Sequence, residues 1–325
     1  MTDTAGAVST LAAPGTSHRT GDGDTRAVRS GARRRRRPDT KVALVMLAPL
    51  VVLLSVFVIW PLLHAVYISF FTWSFYASSE FVGLDNYRNV VTDQAFIDSV
   101  LRGLGFAAMV VPAQLIIAFV FANLVKSFSG RMAGILKVTI YIPAVISEVI
   151  ASIIFTLIYA YRGGILNWFL SFFGREDTAW LGETGSALPA IAVPAIWIGM
   201  GIASLIMLAG LLDIPEAYYE VASLDGAGPW AKMIHITLPL MKNIILYLLV
   251  TGFAASLQFL VVPMVMTNGG PLESTTLPNL FIFRHFTNDL YAGYPIAAAL
   301  LLFVVLGAVS AVIFRLVRSE KAVDG

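Results

Sequence analysis

The chain contains no cysteine. It therefore has no disulfide framework, no thiolate metal site and no cysteine nucleophile. Charge is scarce as well. Asp, Glu, Lys and Arg make up 13% of the 325 residues, about half the share of an ordinary soluble domain. The four histidines, His18, His64, His235 and His285, are far apart and show no metal-ligand spacing. No Gly-Lys pair occurs anywhere, which excludes a phosphate-cradling Gly-x-x-x-x-Gly-Lys-Ser/Thr loop. Apolar residues fill the space left by charge: 58% of the chain, with a mean hydropathy of +0.79. Lipid is the solvent such a composition suits, and an all-α polytopic membrane protein is the expected fold class, since helices satisfy their own backbone in lipid.

Six stretches have the roughly 20 apolar residues a crossing needs, at about 42–71, 103–125, 136–161, 188–212, 243–266 and 293–314. Each carries proline (Pro49 and Pro61, Pro112, Pro143, Pro189 and Pro194, Pro263, Pro295), which predicts kinked helices around a cavity. Residues 1–41 are polar, without apolar periodicity, and read as a disordered tail. The arginine run at 33–37 is read as an anchor beside anionic lipid, not as a nucleic-acid site. Of the 22 Lys and Arg residues, five fall on one side of the membrane (Arg88, Arg102, Arg162, Arg175, Arg284) and the rest on the other. The positive-inside rule then predicts that both termini are cytoplasmic. The expected divisions are a tail (1–41), a first crossing with its external loop (42–99), a core (100–318) that includes a cytoplasmic loop at 213–242, and a tail (319–325). The external loops are too short for a sizeable domain, so tight capture of a solute from outside is expected to need another protein.

The loop between the fourth and fifth crossings is the most informative stretch. Asp213 with Glu216 three residues later has capping-box spacing, and Pro215 suits a first helical turn. Gly226 suits a left-handed position after the helix, and Pro229 starts a second short helix that ends near Pro239. The result is a compact knob with apolar surface from Tyr218, Val221, Ala222 and Leu224. Read from physics alone, it is equally an interfacial connector. However, Glu220-Val221-Ala222, Asp225-Gly226-Ala227 and Ile236-Thr237-Leu238-Pro239 together resemble the EAA motif of ABC importer permeases. Val221, Met233 and Lys242 depart from the usual residues without removing the Asp-Gly turn. Phe81-Val82-Gly83-Leu84-Asp85-Asn86-Tyr87, followed by Asp93 and Phe96, is similar to a segment of the maltose and glycerol-3-phosphate branch. So is Thr267-Asn268-Gly269-Gly270-Pro271, followed by Thr275, Thr276 and Leu277. Arg102-Gly103 and Glu148 depart from that branch and leave the substrate open.

The resemblance implies the type I importer permease fold and a division of labour. A sugar-binding protein delivers cargo outside, and this chain and a second homologous permease enclose the path. Two ATP-binding subunits, which carry ATP and Mg, each grip one knob. In this chain, Glu220 would be the knob's polar anchor and Ala222 its close-packing position. Asp225, Gly226 and Ala227 would form its turn, and Ile236, Leu238 and Pro239 its join to the fifth crossing. No cofactor is expected on this chain and no enzymatic activity. The cargo expected is a di- or oligosaccharide, with a glycerol-3-phosphate or polyol permease as the alternative. An ion-coupled secondary transporter working through Glu148 is a rival, but the chain shows no clear internal repeat. A lipid-linked glycosyltransferase would need clustered acids that the external loops lack. Glu148 is the only carboxylate well inside a crossing, and intramembrane acids are functional candidates by default. Gln258, Ser256, Tyr159, Gln114 and Asn123 are the other polar candidates. For each, a packing role between helices stands beside a role on the path. The Gly103-Leu104-Gly105 and Gly199-Met200-Gly201 pairs read as close-packing sites rather than nucleotide loops.

Overall fold

The computed structural model describes residues 40–74 and 76–318. The arginine run 33–37, His18 and the tail 319–325 lie outside the described residues. The chain divides into two units, 1–55 and 56–325. The described part of the first is helix α1 (Thr40–Leu54), whose apolar side chains from Val45 to Leu54 are exposed, as a lipid-facing helix requires. A π-helical turn at Ser55–Ile59 leads into α2 (Trp60–Ile68), where Pro61 has no N–H to give to a regular ladder.

In the second unit the order continues as α3 (Asp85–Thr92), α4 (Gln94–Lys126), α5 (Gly130–Val145), α6 (Glu148–Ile158), α7 (Ile165–Ser171) and α8 (Thr184–Leu212). Next come α9 (Glu216–Leu224), α10 (Pro229–Lys232), a π-helical turn at Met233–Thr237 and α11 (Leu238–Leu240). The last helices are α12 (Lys242–Leu257), α13 (Val261–Met266), α14 (Pro278–Asn288) and α15 (Gly293–Arg318). Among the described residues the only β feature is an isolated bridge between Phe71 and Phe81.

Five stretches are long and apolar enough to cross a membrane: Val45–Ile68, Gln94–Lys126, Thr184–Leu212, Lys242–Met266 and Gly293–Leu316. The sixth expected crossing, 136–161, is not one rod. It is the pair α5 and α6, bent by 93°. Pro143 removes a ladder bond in the last turn of α5, and Ile146 and Ser147 then adopt extended backbone before α6 restarts at Glu148. The fifth crossing also breaks, between Leu257 and Val261. The Gln258 carbonyl left there accepts a hydrogen bond from Asn279 Nδ2 at 2.8 Å, so the break is satisfied within the protein, as membrane depth demands. Helix α4 begins well before the expected 103 because Asp93 caps it: its carboxylate accepts from the Ala95 N–H at 2.8 Å.

The bundle is held by small residues at the contacts. The α4–α8 pair is the most extensive, with Ala118, Ala122, Ala203 and Met207 buried between the helices. Gly199 and Gly201 make close approach possible: a Cβ on Gly199 would collide with the Gln114 amide, and one on Gly201 with the Ile140 carbonyl. Gly103 packs similarly against Leu257 and Pro278, whereas Gly105 faces open space. The close-packing reading therefore holds for three of these four glycines. One apolar cluster, with Met207, Leu211, Met241 and Leu248, lies toward the end that carries 213–242. Another, with Val90, Phe96, Phe281 and Ala297, lies toward the opposite end.

Candidate functional site

A cavity of about 700 Å³ lies between the middles of α4, α8 and α12 and the start of α6. Four residues singled out from the sequence, Gln114, Glu148, Ser256 and Gln258, line it. The two helix breaks explain how. Because α5 ends at Val145, Glu148 falls in the first turn of a new helix instead of halfway along a rod. Because α12 ends at Leu257, Gln258 sits at its C-cap, where Nε2 donates to the Ala254 carbonyl at 3.1 Å. Gln114 Nε2 donates to the Ala195 carbonyl at 2.9 Å and ties α4 to α8 across the wall. The Glu148 carboxylate has no hydrogen-bond or ion-pair partner among the described residues; only its backbone carbonyl is engaged, by Ser152 Oγ.

The rest of the wall had not been picked out. Tyr247 and Thr251 bring hydroxyls, and Phe106 and Phe259 stack with centroids 5.7 Å apart and 27° between planes. Their signal was present in α12: Tyr247, Thr251, Ala255 and Gln258 recur at spacings of three and four, which puts them on one helix face. Hydroxyls, carboxamides and flat apolar rings together can hold a polyhydroxylated solute by hydrogen bonds and stacking. Tyr159 lies elsewhere. It caps α6 inside an apolar cluster with Ile191 and Val262, its ring near Phe155 and Trp180. Asn123 donates to the Phe119 carbonyl on a separate groove.

The segment 213–242 folds as a knob. The capping box expected at Asp213 is absent. Asp213 is the C-cap of α8 with a helical backbone, donating its N–H to the Ala209 carbonyl, and an N-cap needs extended geometry. The chain turns at buried Ile214, and Pro215 stands immediately before α9 instead of inside it. At the other end the expected left-handed glycine is found: Gly226 has φ +77°. The Ala227 N–H donates to the Ala222 carbonyl at 2.9 Å and the Gly226 N–H to that of Ser223 at 3.1 Å, a Schellman pair closed over Asp225. The Ala222–Asp225–Gly226–Ala227 spacing is thus the spacing of a helix stop. Helices α10 and α11 and the π-helical turn between them carry the chain through Ile236, Leu238 and Pro239 to α12.

Tyr219, which had not been singled out, fastens the knob to the bundle. Its hydroxyl pairs with Thr237 Oγ1 at 3.0 Å, and Lys126 Nζ lies 4.6 Å from its ring centre. Lys232 Nζ donates to Ser223 Oγ at 2.6 Å and links α9 to α10. Outward, Glu220, Asp225 and Gly226 are exposed, and so are Tyr218 and Val221; Leu224 is 88% exposed and Trp230 73%. Large apolar side chains in the open at the end of a bundle suit a protein contact or the lipid interface.

At the opposite end, the two other stretches quoted from the sequence have structural roles. Asn86 Nδ2 donates to the carbonyls of Ser69 and Phe71 at 2.8 and 3.0 Å, and Tyr294 OH bonds Asp93. Arg284 clamps the loop after α13 by pairing with Glu273 at 2.8 Å and donating to the Asn268 carbonyl. His285 pairs with Asp289, and no group of three His, Cys, Asp or Glu side chains converges among the described residues.

A helical bundle of apolar crossings around a largely apolar cavity that carries a few polar groups is a build that suits a membrane transport component. Residues 93–321 match the family described as "Binding-protein-dependent transport system inner membrane component", and the chain belongs to that family. It is 32% identical over 284 residues to the sulfoquinovosyl glycerol transport system permease protein SmoG of Agrobacterium fabrum, covering 87% of this chain and 92% of that protein. It is 31% identical over 285 residues to the trehalose/maltose transport system permease protein MalF of Thermococcus litoralis, covering 87% and 96%. Its fold is similar to that of a chain in the crystal structure of a bacterial ABC transporter involved in the import of the acidic polysaccharide alginate. The TM-score is 0.73 at 21% identity, with 87% of this chain and 96% of that chain covered. The chain is therefore a multi-pass membrane protein with the fold of an ABC importer permease.

Proposed function

We propose that this chain forms one half of the sugar path of an ABC importer and passes the motion of ATP-hydrolysing partners to that path through residues 213–242. The observation that carries the reading is the pairing, in one bundle, of a cavity with polar and aromatic groups on a largely apolar wall and a knob with exposed apolar side chains at one end. The names of the relatives, permeases for the neutral trehalose/maltose and for the anionic sulfoquinovosyl glycerol, support a glycoside as cargo and do not fix its charge. A di- or oligosaccharide suits a cavity of about 700 Å³ lined by hydroxyls, carboxamides and rings. Glu148, Gln258, Gln114 and Ser256 are its polar contacts, and Phe106 with Phe259 its stacking surface.

The partners proposed are a second permease of the same family, two ATP-binding subunits that hold ATP and Mg, and an extracytoplasmic sugar-binding protein. The knob faces the cytoplasm with both termini, and the end with Arg284 and Glu273 faces outward to the binding protein. Closure of the ATP-binding pair pulls on Leu224, Trp230 and their neighbours. Tyr219, fixed to Thr237 and Lys126, passes the pull to α4 and, through α11, to α12, which together make two walls of the cavity. The test is reconstitution of the chain with these partners in liposomes. Sugar-loaded binding protein raises ATP hydrolysis and moves sugar into the lumen. Transport that persists when the ATP-binding subunits are left out would overturn the reading.

A further inference from the structure

We infer that Glu148 sets the charge selectivity of the cavity, so that it passes uncharged or cationic polyhydroxy solutes and turns anions away. The inference rests on the reading of this cavity as the transport path. No Lys, Arg or His lines the cavity, and Glu148 is the one acidic residue on its wall. Four basic groups of the second unit are engaged away from the cavity. Arg102 pairs with Asp98 and Arg284 with Glu273 at one end; Lys126 lies on Tyr219 and Lys232 on Ser223 at the other. An anion entering this space would shed water among Phe106, Val110, Ile198 and Ile202 with no cationic side chain of this chain to receive it. It would also meet the like charge of the Glu148 carboxylate on the wall.

For a neutral sugar the same group is an asset. A carboxylate is an acceptor only, with two oxygens, and neighbouring ring hydroxyls are donors at a matching spacing. The Glu148 carboxylate is engaged by nothing else among the described residues, so both oxygens are available. Its place in the first turn of α6 adds support, because a negative charge is favoured at the positive end of a helix. Gln114 and Gln258 are neutral amides and give the wall no charge of the opposite sign.

The absence of cysteine makes the test direct. Ala255→Cys and, separately, Thr251→Cys place a single thiol of this chain on the cavity wall. In the assembled importer each is reacted with small methanethiosulfonates of matched size: neutral, cationic (trimethylammonium) and anionic (sulfonate). Labelling is read on this chain by mass, and each rate is divided by that for a free thiol. With Glu148 in place, the cationic reagent should outpace the anionic one on the order of tenfold, as one nearby unit charge at an intermediate dielectric implies. Glu148→Gln should bring that ratio close to one and leave the neutral rate unchanged. Equal cationic and anionic rates with Glu148 present, or a ratio that survives Glu148→Gln, would overturn the inference alone. If the neutral reagent reaches neither thiol, the cavity is not a water-open path, and both the inference and the reading beneath it fail.

Discussion

Gly226 is the residue on which the shape of the knob turns, and a short substitution series separates its two roles. Its φ of +77° lies where an L side chain is strained by about 1–2 kcal/mol, while a Cβ there meets nothing within 4 Å. Gly226→Ala therefore adds backbone strain and no clash. The strain shifts the balance between the closed Schellman turn and opened forms by roughly 5–30-fold. Gly226→Asn should cost less, because asparagine tolerates the left-handed region. Gly226→Arg has the strain of alanine plus a long cation on an exposed surface. The knob buries little, so none of the three should lower the melting temperature of the membrane protein by more than a few degrees. The assay is sugar-stimulated ATP hydrolysis by the reconstituted importer, set against the amount of each variant inserted. We expect the order glycine, asparagine, alanine, arginine, with arginine reducing stimulation sharply because it also blocks the partner's surface. If the alanine and arginine variants both retain full stimulation, neither the turn nor the surface around it couples anything, and the reasoning is wrong.

Two further outcomes are expected. Tyr219→Phe removes the hydroxyl partner of Thr237 while keeping the ring under Lys126, a loss of about 0.5–1.5 kcal/mol. It should weaken ATP-to-transport coupling modestly, whereas Tyr219→Ala should weaken it severely; equal behaviour of the two in the ATPase assay would count against a role for the ring. Buried Asn167 holds the loop beyond α6, donating to the Tyr161 and Thr178 carbonyls at 3.1 and 3.0 Å and accepting from Trp180 Nε1 at 2.8 Å. Asn167→Ala orphans these groups at about 1–3 kcal/mol each, so trypsin should cut at the flanking Arg162 and Arg175 at least tenfold faster; unchanged cleavage would refute the clamp.

The crossings were legible in the sequence because lipid imposes length and apolarity, and the long runs around Val110, Ile191, Leu248 and Leu302 satisfy both. The two breaks were not. Pro143 announced a weak turn in the third crossing, but proline is also tolerated in unbroken membrane helices, and only packing decides that Ile146 and Ser147 extend. The second break leans on Asn279, 21 residues away from Gln258, a partner that no local pattern reveals. The stop at Gly226 was readable because the αL requirement is local, whereas the start of α9 was misread because α8 claims Asp213 first. Glu148, Ser256 and Gln258 stood out as polar groups in apolar runs. Their convergence on one cavity, and the exclusion of Tyr159 from it, depend on how the helices pack, as does the role of Tyr219, whose partners Lys126 and Thr237 come from separate segments.

Coupling requires the knob to be a handle gripped from the cytoplasm. Leu224→Cys gives a single thiol of this chain at a side-chain position that is 88% exposed. In inside-out vesicles a membrane-impermeant maleimide should label it, and added ATP-binding subunits should shield it and form a cross-link with it. In right-side-out vesicles it should stay unlabelled. Labelling from the outer face, or a thiol left fully open when the ATP-binding subunits are bound, would contradict the account.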